Sequence, residues 1–79
     1  MEKVQVYNKL TAVFREVFAE DELNVTPQTT ADDVDGWDSL SHIRLVLAVS
    51  KAFGVKFSAS EIGNLKNVGE FADLIEKKA

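Results

Sequence analysis

Ser39 and His42 stand one helical turn apart, and a hydroxyl beside an imidazole is the start of a nucleophile and base pair. An activated serine also needs a third group to orient the base, held in a fold with a pocket. His42 is the only imidazole, and 79 residues of this pattern offer no oxyanion hole, so independent catalysis is not expected. A calcium reading of the acidic stretch fails as well. With Gly36 at the sixth place of an EF-hand loop, Asp33 and Asp35 fit, but Ala31 and His42 fall where carboxylates are needed. The chain has no cysteine, which excludes disulfides and thiolate metal sites, and a single histidine cannot build a zinc cluster. No metal site is therefore expected. No P-loop or GxGxxG is present. Ser39 keeps two roles. As a helix cap, its hydroxyl would bond a free backbone N–H. As a modification site, it would place a phosphate where those N–H groups and the helix dipole favour an anion. Asp38 caps equally well, which frees Ser39 for the second role.

The elements that must position Ser39 follow from periodicity. Val6, Leu10, Val13, Phe14 and Val17 recur at spacings of three and four, which predicts a helix over Met1 to Ala19. Glu20 to Asp38 has no sustained period and holds the only proline, Pro27. It reads as a long loop tethered by Leu23, Val25, Val34 and Trp37. A second helix is predicted over Ser39 to Phe53, with Gly54 as its C-cap. Val55 to Phe57 reads as a connector. Ser58 and Glu61 form a capping box that opens a short helix ending at Gly63-Asn64, and Asn67 opens a last helix running to about Lys78. The expected fold is all-α: a single domain over residues 1–79, a small bundle of three main helices and one short one.

At about 100° per position the second helix carries two apolar arcs. Leu45, Val46, Val49, Ala52 and Phe53 form a core face. Leu40, Ile43 and Leu47 form another, beside Arg44 and Lys51. That second arc either packs on the short helix through Ile62 and Leu65 or stays open as a docking strip.

The charge is distributed unevenly. Thirteen acids against nine Lys and Arg give a net charge of −4, which argues against nucleic acid as a partner. Eight acids and no base lie between Glu16 and Asp38, whereas Ser39 to Ser60 holds three bases and no acid. No apolar run of about 18 residues exists, and Met1-Glu2-Lys3 does not open a signal peptide. A soluble, cytoplasmic domain with no membrane insertion is expected.

Gly36-Trp37-Asp38-Ser39-Leu40 resembles the prosthetic-group attachment motif of acyl carrier proteins, whose core is Asp-Ser-Leu. The order of elements is similar along essentially the whole chain, including Ala52 to Phe57 at the close of the second helix and Ile62 to Ile75 beyond it. The resemblance implies that a phosphopantetheinyl transferase attaches 4′-phosphopantetheine to Ser39, between Asp38 and Leu40. It implies a thiol, imported with that group, that holds acyl intermediates as thioesters for fatty-acid, polyketide or related biosynthetic enzymes. Asp38 would orient the site and help to bind the transferase's metal. Leu40, Ile43, Arg44, Leu47 and Ile62 would meet partner enzymes, and Val46 and its neighbours would line the space that shelters an acyl chain. A monomer is expected. One departure stands out. The second helix of fatty-acid-synthesis carriers is typically rich in Asp and Glu, whereas this one holds Ser41, His42, Arg44, Ser50 and Lys51 and no acid. A specialised carrier is therefore expected. The alternatives are an aminoacyl or peptidyl carrier with the same arm, or an unmodified helical interaction module. His42 is placed as a partly buried residue on the core arc.

Overall fold

The computed structural model describes residues 2–78. Its elements are α1 (Lys3–Phe18), a 3₁₀ turn (Ala31–Asp33), α2 (Ser39–Phe53), α3 (Ala59–Gly63) and α4 (Val68–Lys78). The fold is an all-α bundle of four helices, with no strand among the described residues. No helix is long and apolar enough to cross a membrane.

The apolar periods bury as they should. Val6, Leu10 and Phe14 of α1 meet Leu45 and Val49 of α2 and Val68, Phe71 and Ile75 of α4, all fully buried. Each such side chain removed from water contributes roughly 1.5–3 kcal/mol, so this shared core holds α1, α2 and α4 together. Leu74 of α4 is only half-buried. The first helix ends one residue before the expected Ala19. Its last helical residue is Phe18, because Ala19 adopts the left-handed conformation with φ 54° and its N–H bonds the Arg15 carbonyl. Met1, at the other end of the expected helix, lies outside the described residues.

The loop from 20 to 38 is held at both ends and in the middle. Val25 and Val34 are buried, and Leu23 and Trp37 pack against the core. Arg15 of α1 donates from Nε to the Leu23 carbonyl at 2.7 Å and from Nη2 to Asn24 at 2.9 Å. At the far side, the Val68 N–H donates to the Thr29 carbonyl at 2.8 Å and the Gly69 N–H to the Pro27 carbonyl at 3.0 Å. The loop therefore takes up two of the N–H groups that the start of α4 leaves unpaired. A third is satisfied by Asn67, whose side chain accepts from the Glu70 N–H at 2.9 Å.

The short α3 begins with the expected box: Ser58 Oγ accepts from the Glu61 N–H at 3.2 Å, and the Glu61 carboxylate accepts from the Ser58 N–H at 2.8 Å. Lys78 pairs with the same carboxylate at 3.1 Å and lies over the Phe57 ring, so the end of α4 clasps α3.

Candidate functional site

The head of α2 is built by the turn before it. Gly36 takes φ 86°, a conformation that side chains other than glycine's rarely adopt, and this reverses the chain so that Trp37 points inward and Asp38 outward. Trp37 meets Phe14 edge-on at 5.2 Å between ring centroids and Phe18 at 6.3 Å. That aromatic anchor fixes where α2 starts.

Asp38 is the N-cap. Its carboxylate accepts from the Ser41 N–H at 2.9 Å. Hydrogen bonds, first from the Ser41 backbone and then from its hydroxyl, hold the Asp38 carboxyl below its ordinary pKa. Because Asp38 takes the cap, Ser39 is left with an exposed hydroxyl that makes no hydrogen bond among the described residues. A free, solvent-facing hydroxyl at the positive end of a 15-residue helix suits attachment of an anionic group.

His42 makes no hydrogen bond to Ser39. It is half-buried, and both ring nitrogens are engaged: Nδ1 with Trp37 Nε1 at 3.1 Å and Nε2 with the Ile62 carbonyl at 3.1 Å. The second bond ties α3 to α2. Sequence reasoning missed this pair of contacts. Its only signal was the spacing of an indole donor five residues before an imidazole. Beside Ser39, a shallow cavity of about 360 Å³ is lined by Trp37, His42, Ile62, Leu65 and Lys66.

The other expected site residues separate into two sets. Leu40, Ile43 and Leu47 are 71%, 54% and 60% exposed, and Arg44 is exposed with them. The second apolar arc of α2 is thus left open. Ile62 instead turns partly inward against the core, and Val46 is buried in it.

This arrangement has counterparts. The family model described as a phosphopantetheine attachment site matches residues 8–75, most of the chain. The chain belongs to the acyl carrier protein family. It is 31% identical over 74 residues to an acyl carrier protein of Thermotoga maritima, covering 94% of this chain and 91% of the relative. It is 34% identical over 76 residues to one of Acidothermus cellulolyticus, covering 95% and 89%. It is similar in structure to a holo acyl carrier protein of Geobacter metallireducens, solved in solution by NMR. That likeness has a TM-score of 0.86 and 44% identity over 92% of this chain and 84% of the other. Acyl carrier proteins are carriers and not catalysts, which agrees with the incomplete nucleophile set around Ser39. The covalent group of the family is 4′-phosphopantetheine. The head of α2 fits such a group, since it combines a free hydroxyl with a helix N-terminus, and Lys66 lines the cavity beside it. Membership implies a phosphopantetheinyl transferase and biosynthetic enzymes as partners.

Proposed function

We propose that Ser39 bears the phosphopantetheine arm and that the chain carries acyl groups for a dedicated set of biosynthetic enzymes. The observation that carries the reading is the division of labour at the head of α2. Asp38 caps α2 by accepting from the Ser41 N–H, and Ser39 keeps an exposed and unengaged hydroxyl. When bound, the arm supplies a terminal thiol that holds acyl cargo as a thioester. The protein's own residues do three things around it. Asp38 holds the first turn of α2 in place, Trp37 anchors the turn before it, and His42 keeps α3 beside the cavity. Tethering keeps the cargo at high effective concentration for the next enzyme.

The absence of any acid on α2 supports service to dedicated partners rather than to a fatty-acid synthase of the common kind. Complementary charge governs encounter rate and partner choice. The attachment is tested by incubating the protein with coenzyme A and a broad-specificity phosphopantetheinyl transferase, then measuring intact mass. One phosphopantetheine is expected on the wild type and none on Ser39→Ala. Addition that survives Ser39→Ala would refute the assignment.

A further inference from the structure

Leu40, Arg44, Leu47 and Lys51 follow one another at spacings of four, three and four, so they share one outward arc of α2. The arc begins next to Ser39 and runs for about 17 Å. No acid occurs between Asp38 and Glu61. The ion pairs among the described residues are Lys3–Asp73 and Lys78–Glu61, so Arg44 and Lys51 have none. The acid that faces them is Glu16 of α1. It lines with them a shallow groove on the α1 flank but forms no ion pair with either. On the opposite flank, the Glu61 carboxylate is already taken by Ser58 and Lys78.

We propose that this arc docks an apolar cleft rimmed by Asp and Glu on the partner enzyme. The proposal rests on the carrier reading and names the partner surface for it. Arg44 lies between Leu40 and Leu47, so a partner that covers both leucines must also cover the guanidinium. Bringing a cation into an interface without a counter-charge is costly, and a basic rim would add like-charge repulsion. An acidic rim turns the same geometry into complementarity. The strip is also small. Four side chains fall well short of the roughly 800 Å² per partner of a standard interface, so contact is brief, as delivery from a carrier requires. A second copy of this chain is a poor occupant. Its acidic loop offers charge through Asp32, Asp33 and Asp35, but the exposed large apolar residues are Val4, Leu40, Ile43 and Leu47, and none of them is in that loop.

The test uses two synthetic amphipathic helical peptides with the same leucine face, one flanked by Glu and the other by Lys. Each is titrated into the full-length ¹⁵N-labelled protein while amide shifts are followed. The Glu peptide is expected to move the amides of Ser39 to Lys51 and to bind about fivefold tighter than the Lys peptide at low salt, the preference fading as salt is added. The exposed double variant Arg44→Glu with Lys51→Glu should invert the preference, with its helix content checked by circular dichroism. The salt titration of the wild type stands independently of that variant. Equal or tighter binding of the Lys peptide, shifts that map away from α2, or a concentration-dependent dimer that covers the strip would each overturn the proposal. Neither peptide requires the arm, so a failure here with normal loading at Ser39 removes the partner assignment and leaves the carrier reading intact. A failure to load at Ser39 leaves this readout unaffected.

Discussion

The Trp37 indole N–H donates to His42 Nδ1 at 3.1 Å, and that bond settles which imidazole nitrogen carries the proton. An indole nitrogen can only donate, so Nδ1 must be bare. Nε2 then carries the hydrogen and donates to the Ile62 carbonyl. One imidazole thereby joins the end of the long loop, the first turn of α2 and the short α3. His42→Ala would strand a partly buried N–H and a partly buried carbonyl. The expected cost is about 1–3 kcal/mol in urea unfolding, and Trp37→Phe should cost a similar amount, because it removes the donor and also part of the ring system that packs on Phe14 and Phe18. Because the two residues share one bond, the double variant should lose less than the sum of the singles. Strict additivity would show that the bond contributes nothing.

Gly69 sits in the first turn of α4, where alanine would ordinarily be favoured by about 1 kcal/mol. Here the surroundings reverse that preference. A Cβ at this position would lie 2.8 Å from the Pro27 carbonyl oxygen and 3.3 Å from the Pro27 Cα, both backbone atoms that cannot simply rotate away. Gly69→Ala would push the loop off α4 and strain the bonds from Val68 and Gly69 to Thr29 and Pro27. Overpacking of this kind typically costs about 1–3 kcal/mol, so the net effect is destabilising. Urea denaturation of Gly69→Ala measures it, and a gain in stability would refute the close approach.

Gly69 also marks where the sequence stops being legible. The helices, the capping boxes and the buried arcs rest on contacts within three or four residues, and periodicity shows them. The open strip was half-legible. The wheel separated Leu40, Ile43 and Leu47 from the core arc, but whether Ile62 and Leu65 would cover them depended on how α3 packs. The contacts from Pro27 and Thr29 to α4 and from His42 to Ile62 join residues about 20 or more positions apart. Nothing local specifies such pairings, and a lone glycine or histidine marks them only faintly.

Asp38 makes the acid limb of stability specific. Its carboxyl lies below its ordinary pKa because the Ser41 N–H and hydroxyl bond the charged form. A lowered folded-state pKa contributes stability that is present above the ordinary carboxylate range and is lost as pH falls through the folded value, so the window lies below about pH 4. Asp38→Asn keeps a capping oxygen but does not titrate. It should flatten part of the stability loss on acidification. The remainder belongs in part to Glu61, whose carboxyl is also lowered, first by the Ser58 N–H and then by Lys78. The check is the urea midpoint from pH 6 to pH 3 for both proteins. Parallel curves would show that the cap does not titrate as argued.

The charge of α2 leads to a functional prediction about the wrong partner. A carrier presents its cargo only after docking, and encounter between charged surfaces is steered by complementary potential. A ketosynthase whose carrier-binding patch is basic would meet Arg44 and Lys51 beside Leu40 and Leu47, with no acid nearer on the chain than Asp38 and Glu61. Loaded wild-type protein should therefore show kcat/KM at least about tenfold below that of an acidic-helix carrier at low salt, mostly through slower association. The gap should narrow as salt screens the repulsion. Arg44→Glu with Lys51→Glu should recover much of the difference, because the leucines and Ser39 are unchanged. Full activity of the wild type at low salt would show that this charge pattern does not select partners, and that the apolar strip alone governs docking.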